Sequence, residues 1–372
     1  MSFFRLIFAL VATLVLVGIN TYAYRRFLSK LAFLHNYKKL IKWLVILISV
    51  GEIAFFLTLR SGSMDGALYY AFSSLIGISF MLFCISLVYD LFHLPLQKIP
   101  FDSSRRVFLK TVLDVTMLIL ALSYMLKGFV NGFKDPEVNE VSIKIKNLQK
   151  ELHVVQISDV HIGKSLGGEF LSNIVQKINT LQVDIVVITG DLVDLHVSAI
   201  GDKLDSLKDI KSKYGVYFVS GNHEYFHGVK EISEHLKSLH VRVLENENVV
   251  IDDVINLAGI TDLMGRRMGF LEPDLKKALQ GINSELPTLL LAHQPKFIKE
   301  LKDEPIDLVL SGHTHGGQIF PFGLLVMLDQ PYLYGLYQHS PKTQVYVSSG
   351  TGYWGPPIRV MAPSEIVSIK LR

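Results

Sequence analysis

Four apolar stretches within the first 130 residues restrict this chain more than any other feature of its sequence. Each approaches or exceeds the roughly 20 residues that a helix needs to cross a bilayer, and few charges interrupt them. One such stretch alone is compatible with a buried core helix, but four in succession, with tyrosine and tryptophan at their flanks, favour membrane spans. The predicted spans cover residues 6–24, 43–59, 68–92 and 107–130.

Basic residues between these spans predict the orientation of the chain. The connection over residues 25–42 carries two arginines and four lysines with no acid, and the one before the fourth span carries four basic residues against Asp102. The positive-inside rule places both connections in the cytoplasm, so the C-terminal part is predicted to lie outside it, with the cytoplasmic face as the alternative. The stretch from Ser104 to Lys110, with Arg105-Arg106, resembles a twin-arginine export signal, although an ordinary basic flank has the same composition. We therefore predict a multi-pass protein of a bacterial cytoplasmic membrane.

Composition excludes two other classes of protein. A net charge of +3 is too small to indicate a nucleic-acid partner. A lone cysteine, Cys84, excludes a disulfide framework and a cysteine zinc cluster. Glu52 lies near the middle of the second predicted span, where an acid is a functional hypothesis by default, and the sequence identifies no partner for it.

A change in composition separates the membrane part from the rest of the chain. Residues 131–149 begin with Asn131-Gly132 and contain Pro136, which break the helical pattern, so we predict a membrane domain at 1–130, a linker at 131–149 and a second domain at 150–372. In this domain short β-rich runs alternate with amphipathic helical segments, which predicts an α/β fold with ligand groups after the strands. Predicted strands cover 153–157, 184–189, 216–220, 254–259, 288–292, 307–310, 344–348 and 366–370, and predicted helices cover 170–179, 203–213, 230–238 and 274–280.

Side chains that can bind metal follow five of the predicted strands. Any one of these motifs has a simpler explanation, because aspartate and asparagine are common in turns and a lone histidine is more often packed or solvated. Five of them at successive strand ends predict a metal site. The motifs are Ser158-Asp159-Val160-His161, Gly190-Asp191-Leu192-Val193-Asp194, Gly221-Asn222-His223-Glu224, His293 and Gly312-His313-Thr314-His315.

This set of motifs resembles the calcineurin-like metallophosphoesterases over residues 150–372. Gly316-Gly317-Gln318 and the tail from Ser349 to Arg359 are similar to the YkuE-like subgroup of bacterial membrane-associated phosphoesterases. The resemblance implies a four-layer α/β/β/α sandwich of two mixed sheets flanked by helices, with metals at one edge. Together with the four spans predicted from the apolar stretches, the predicted fold is α/β, with an N-terminal bundle of four transmembrane helices before this sandwich. Glu224 stands where many members carry aspartate, a position that the family does not use as a ligand.

The resemblance also implies two divalent metal ions, of manganese, iron or zinc. The first would be bound by Asp159, His161 and His315, the second by Asn222, His293 and His313, and both by Asp191 as a bridge. Two such ions about 3.5–4 Å apart can clamp a phosphate and activate a water molecule for in-line attack. The predicted catalytic residues are Asp191 and His223, the latter stabilising charge or protonating the leaving group. Asp194 would orient a ligand without binding metal itself.

The substrate is the least constrained part of the prediction. Arg266 and Arg267 can grip a second phosphate or an anionic headgroup, or belong to a solvated surface loop. The membrane domain indicates a phosphorylated lipid, glycolipid or envelope substrate at the bilayer, and by analogy UDP-2,3-diacylglucosamine, a lipid A precursor, is one candidate. Because that lipid faces the cytoplasm, an extracytoplasmic phospholipid or cell-wall phosphodiesterase fits the predicted orientation better. A metal-binding membrane sensor without catalysis is a further alternative, against which His223 argues.

Overall fold

The computed structural model describes residues 3–58 and 64–372, and the chain in it divides into two units. The helical unit comprises Met1–Phe133 with Gly355–Val360, and the sheet unit comprises Lys134–Trp354 with Met361–Arg372.

Four long helices make up most of the helical unit, and two 3₁₀ helices, Leu28–Lys30 and Ala32–Tyr37, join the first to the second. Asp65 and Asp102 begin the third and fourth helices as N-caps, accepting backbone N–H groups at 2.8 and 2.7 Å. The long helices are α1 (Phe3–Arg26), α2 (Lys38–Thr58), α3 (Gly66–Lys98) and α4 (Ser103–Gly132).

Among the described residues, three helical segments are long and apolar enough to cross a membrane: Ala32–Thr58, Gly66–Lys98 and Ser103–Gly132. Three of the four predicted spans are thereby confirmed on length and composition. The span predicted at residues 6–24 lies in α1, some of whose side chains are not described, and it stays a prediction. Leu59, the predicted end of the second span, lies outside the described residues.

Buried polar side chains of the helical unit pair with one another. Glu52 accepts a hydrogen bond from Asn20 Nδ2 at 2.7 Å, a partner on α1 that the sequence did not identify. Asp114 accepts from Lys110 Nζ at 2.5 Å and from the Tyr89 hydroxyl at 2.8 Å. Such pairing satisfies acids that would be costly if left alone in an apolar environment.

Two six-stranded mixed sheets form the sheet unit. The first has the order β1-β12-β2-β3-β4-β5, in which only the β12–β2 pair is antiparallel. The second has the order β10-β11-β9-β8-β7-β6, with antiparallel pairs at both of its edges. The strands are β1 (Glu137–Ile143), β2 (Leu152–Ile157), β3 (Ile185–Thr189), β4 (Val216–Val219), β5 (Val241–Val243), β6 (Glu247–Ile251), β7 (Ile255–Gly259), β8 (Thr288–Leu291), β9 (Leu308–Ser311), β10 (Gly335–Gln338), β11 (Gln344–Val347) and β12 (Glu365–Leu371).

Shorter helices cover these sheets. The first, α5, buries one apolar face with Leu171, Ile174 and Ile178. The segment predicted as a helix at 203–213 is a 3₁₀ helix over Gly201–Asp209, and Pro295–Glu300 forms another. The α-helices are α5 (Gly168–Asn179), α6 (Val197–Ile200), α7 (Asn222–His227), α8 (Val229–Ser238), α9 (Met264–Met268), α10 (Leu275–Ala278) and α11 (Gly323–Val326).

The main hydrophobic core lies between the two sheets. Alternate residues of one strand face different cores: Leu289 and Leu291 of β8 belong to the core between the sheets, and Leu290 packs with Phe297 and Ala278 on the other side of the second sheet. The first sheet contributes to the shared core from several strands, with Val154, Val187, Val219 and Ile369. The predicted α/β character with mixed sheets is thereby confirmed.

All eight predicted strands are present, and the four that the sequence did not predict are the edge strands β1, β5, β6 and β10. Strand β1 lies inside the segment predicted as a linker, 131–149, and the predicted domain boundaries stay a prediction. Its side chains are mostly exposed, and what holds the strand in the sheet is backbone pairing with the distant β12 rather than burial of its own apolar side chains.

Candidate metal centre

All seven predicted metal ligands stand in loops that directly follow β2, β3, β4, β8 and β9. These strands are parallel neighbours within each sheet, so their carboxyl ends meet at one edge. Gln156 on β2 donates from Nε2 to the carbonyl oxygen of Ser311 on β9 at 2.8 Å, which joins the two sheets there. The loops contain Asp159, His161, Asp191, Asn222, His293, His313 and His315.

Five of the seven predicted ligands have a backbone conformation that glycine adopts most easily. Their φ angles lie between 50° and 71°. This conformation costs an L-residue about 1–2 kcal/mol, and such strain persists mainly at functional sites. The loops therefore turn sharply at the ligands themselves. The five residues are Asp159, His161, Asp191, His313 and His315.

The first group of donor atoms belongs to Asp159, His161 and His315. Nδ1 of His161 donates to Asp194 Oδ1 at 2.7 Å, and in the neutral imidazole with this tautomer Nε2 carries the lone pair that a metal needs. This Nε2 lies 3.0 Å from Nε2 of His315, and the latter atom lies 3.4 Å from Asp159 Oδ1. Two imidazole nitrogens and a carboxylate oxygen that converge in this way fit a divalent cation such as zinc, manganese or iron.

The second group belongs to Asp191, His293, His313 and Asn222. Nδ1 of His293 donates to the Thr189 carbonyl at 2.7 Å, so its Nε2 is the atom that lies 3.2 Å from both Asp191 Oδ2 and His313 Nδ1. Burial lowers the pKa of His313 to about 3, so this imidazole is neutral and can bind a cation. The buried Oδ1 of Asn222 has no hydrogen-bond partner within the described part of the chain, as a metal ligand requires.

One carboxylate oxygen orients two histidines at this centre. Oδ1 of Asp194 lies 2.7 Å from Nδ1 of His161 and 2.6 Å from Nδ1 of His223. The other nitrogen of His223, Nε2, lies 3.9 Å from Asp191 Oδ2. Burial disfavours the charged form of His223, but the charges of Asp191 and Asp194 outweigh it and raise its pKa to about 10. The two carboxylates thus favour the protonated form of His223, which can then donate beside the predicted metal ligands.

Glu224 holds two ligand loops together through their backbones. Its Oε1 accepts N–H groups of Leu192 and Val193 at 2.8 and 3.3 Å, and its Oε2 accepts those of Asp191 and Gly221 at 3.0 and 2.7 Å. The side chain is completely buried. The sequence analysis assigned no role to this residue, although a glutamate three positions after a helix N-cap was a detectable signal.

Close packing of the first and last ligand loops requires glycine at position 312. A Cβ atom there would lie 1.8 Å from Ser158 Oγ and 2.3 Å from Asp159 Oδ2. The same two side chains are joined by a 2.6 Å hydrogen bond from Ser158 to Asp159, and Asp159 also accepts the N–H of His313 at 2.9 Å. The loops meet with no space for a side chain between them.

Comparison with known proteins identifies the family. Residues 152–317 match the calcineurin-like phosphoesterase family. An uncharacterized metallophosphoesterase of Helicobacter pylori is 44% identical over 330 residues, which cover 88% of each chain. One of Campylobacter jejuni is 36% identical over 371 residues, covering 99% of this chain and 98% of its own. The chain belongs to the calcineurin-like phosphoesterases.

This phosphoesterase is a metal-dependent phosphoester hydrolase, as the motifs predicted, and the superfamily resemblance is confirmed. Its aspartate and histidine groups are those of a site for divalent metal ions. A transmembrane protein with metallophosphoesterase domain from Danio rerio is 40% identical over 272 residues, 69% of this chain and 62% of its own. Together with the three candidate spans, this supports membrane association of the phosphoesterase.

The predicted substrate residues lie on α9. The guanidinium groups of Arg266 and Arg267 are both exposed. That of Arg266 donates two hydrogen bonds to the carboxylate of Glu300, at 2.6 and 2.7 Å. A role of Arg266 and Arg267 in substrate binding stays a prediction. Two exposed aromatic rings, those of Phe226 and Trp354, have centroids 5.8 and 5.9 Å from the His223 ring.

Proposed function

We propose that this protein uses two divalent metal ions to hydrolyse a phosphodiester or pyrophosphate bond of a membrane-associated or envelope substrate. The observation that supports this most directly is the pair of donor groups, each with two histidines and one buried aspartate, at the edge where the two sheets meet. Asn222 adds a buried oxygen to the second group. This division into two groups is the one that the family resemblance implies.

Under this proposal Asp159, His161 and His315 would hold one ion, Asn222, His293 and His313 would hold the other, and Asp191 would contribute to both. When bound, the ions neutralise phosphate charge and lower the pKa of water at the site, which supplies the nucleophile. Despite its burial, Asp191 has a pKa well below its usual range because positive charge of the neighbouring histidines faces it, and bound metal ions would supply that charge in place of the His293 proton.

His223 acts on the substrate rather than on metal. Its Nδ1 is held by Asp194 Oδ1 at 2.6 Å, which fixes the ring and directs the Nε2 proton toward the centre. A protonated imidazole in that position donates to a phosphoryl oxygen as charge develops, or gives its proton to the leaving oxygen. A sensor without catalysis has no need of this arrangement, so the geometry supports an enzyme.

The proposal also covers the class of substrate and the face of the membrane on which it lies. A chain with several candidate spans meets membrane lipids and envelope polymers, and we propose a phosphorylated lipid or glycolipid, with no role for nucleic acid. UDP-2,3-diacylglucosamine is the specific candidate for a sheet unit on the cytoplasmic face of the inner membrane. An envelope phospholipid or cell-wall polymer is the candidate for the extracytoplasmic face, which the distribution of basic residues favours.

The test of the reaction class uses the full-length protein purified in detergent. Hydrolysis of bis(p-nitrophenyl) phosphate with added Mn²⁺, and metal analysis of the same sample, should show activity together with bound metal. His223→Ala should lower kcat about 10²- to 10⁴-fold while metal content is retained. His35→Ala removes an exposed imidazole of the helical unit and is the matched control. Bound metal with no hydrolysis of any phosphodiester would favour the sensor.

The test of the substrate has two parts. Protease accessibility of a C-terminal tag in intact and lysed spheroplasts determines the face on which the sheet unit lies. Release of UMP from UDP-2,3-diacylglucosamine, abolished by His223→Ala, would establish the lipid A precursor. Digestion of the tag in intact spheroplasts would eliminate it in favour of an envelope substrate.

A further inference from the structure

An exposed apolar loop follows directly on the last metal ligands. We define it as residues 320–336, which begin five positions after His315. It contains eight large apolar side chains that are more than a third exposed, with Leu328 at 83% and Leu324 at 62%. Contiguous apolar surface of this kind marks an interaction site in a soluble or membrane-anchored domain. The eight are Phe320, Phe322, Leu324, Leu325, Met327, Leu328, Tyr334 and Leu336.

The apolar loop is ordered by polar contacts at its base, so its exposure is a property of a defined structure. The Thr314 hydroxyl, between the two ligand histidines, donates to the carbonyl oxygen of Leu333. The buried side chain of Gln330 accepts the N–H of Lys296 at 2.9 Å, and Asp329 forms an ion pair with the Lys296 ammonium group. The apolar residues between these contacts include the single turn of α11.

A bilayer is the apolar phase that this loop can reach. Residues 133–136 connect α4, a candidate span, to β1, and four extended residues reach roughly 14 Å at most. The covalent connection between a candidate span and the sheet unit is therefore short. A one-turn helix is far too short to cross the membrane, and short elements with leucine and aromatic residues lie in the interface instead.

We propose that the apolar loop inserts into the interface of the membrane in which the chain is anchored and so brings the metal centre to the level of lipid headgroups. This inference rests on the proposed function, because it specifies a substrate whose phosphate lies at the bilayer surface and whose acyl part stays in the lipid. The loop and the ligands His313 and His315 belong to one continuous segment, so insertion of the loop positions the ligands as well.

The experiment places an environment-sensitive fluorophore on the full-length protein. Leu328→Cys is introduced with Cys84→Ala, which removes the single native cysteine, and the labelled protein is reconstituted in phosphatidylethanolamine–phosphatidylglycerol vesicles. Lipids with a nitroxide near the headgroup serve as quenchers. Lys342→Cys is the control position, because Lys342 precedes β11 and therefore lies at the sheet edge opposite the metal ligands.

The expected result is a roughly twofold or greater loss of fluorescence at position 328, since interfacial elements penetrate about 5–10 Å, with little change at position 342. Leu324→Gln with Leu325→Gln should reduce that loss, whereas Val250→Gln, an exposed apolar residue of the far edge strand β6, should not. Equal quenching at both labelled positions, or none at 328, would overturn the proposal. Cross-linking between copies through position 328 without lipid quenching would assign the loop to a second copy instead.

Hydrolysis of bis(p-nitrophenyl) phosphate by the same samples distinguishes failure of the inserted loop from failure of the proposed function. This small substrate needs no lipid, so activity without quenching at 328 refutes the inserted loop and leaves the proposed function standing. Quenching without activity supports the loop and refutes the proposed function. Metal analysis of each sample shows that the centre was loaded in both cases.

Discussion

Replacement of Glu224 by glutamine should weaken divalent metal binding about 10- to 100-fold, although this residue binds no metal itself. Its carboxylate accepts four backbone N–H groups of the loops after β3 and β4, and these loops carry Asp191 and Asn222. The substitution preserves the size and shape of the side chain. It changes one acceptor oxygen into an N–H₂ group that faces two donors.

The magnitude follows from these four contacts. A hydrogen bond to a charged group is worth about 1.5–3 kcal/mol, so the loss of two of them amounts to about 3–6 kcal/mol if the loops do not move. The loops can shift so that the N–H₂ group of the glutamine no longer faces the backbone donors. Part of the free-energy cost then appears as displacement of Asp191 and Asn222. A 10- to 100-fold loss of affinity corresponds to about 1.4–2.8 kcal/mol, below that upper limit.

The assay is a competition between the full-length protein and a chelator for Mn²⁺, combined with kcat for bis(p-nitrophenyl) phosphate as the metal concentration is varied. Burial, and next the charge of Asp191, raises the pKa of Glu224 to about 7, so the comparison is made at about pH 8, where the native carboxylate is ionised. Glu234→Gln, the same change on the exposed face of α8, is the matched control.

A third variant separates charge from geometry. Glu224→Asp keeps the charge on a shorter side chain and should recover more metal affinity than Glu224→Gln. If Glu224→Gln binds metal and turns over as Glu234→Gln does, the carboxylate is not what positions the ligand loops. That result would refute a role of Glu224 in metal binding.

Three further predictions concern the centre and its metals. Asp194→Asn should lower kcat about 10- to 100-fold, because the amide loses the charge that orients His161 and His223 together; native turnover would contradict this. Gly312→Ala should lose bound metal, since its Cβ would overlap the first ligand loop, whereas Gly167→Ala, with open space around it, should keep metal in the same elemental analysis. Chelation should lower the thermal unfolding temperature, and Mn²⁺ at 100 times its dissociation constant should restore about 2.7 kcal/mol of stability; an unfolding temperature insensitive to Mn²⁺ would speak against a preformed site.

Strand prediction from the sequence succeeded in the interior of the sheets and failed at their edges. An interior strand such as β3 is buried on both faces, so it appears in the sequence as an uninterrupted apolar run. An edge strand such as β1 is mostly exposed, and its hydrogen bonds come from β12, more than two hundred residues away in the chain. No local pattern encodes that pairing.

A site for divalent metal ions was predictable, because the chemistry of the donor residues is local to each motif. Aspartate, asparagine and histidine after five strands indicate a metal site, since the carboxyl ends of parallel strands meet at one edge. Among the residues that support these donors, Asp194 was predicted to orient one of them, whereas the role of Glu224 and the second histidine held by Asp194 were not predictable in the same way. Glu224 acts through backbone N–H groups of another loop, and Asp194 acts on two histidines from different strands.

Residue type and order along the chain therefore determine the membrane segments, the interior strands and the family, because these depend on apolar runs and on short motifs. Tertiary structure alone determines which donor atoms share a cation, that one oxygen of Asp194 orients both His161 and His223, and that the apolar loop after His315 stays exposed. Distances of about 3 Å between groups far apart in the sequence arise only when the two sheets pack, and burial of a side chain is likewise a property of the packed molecule.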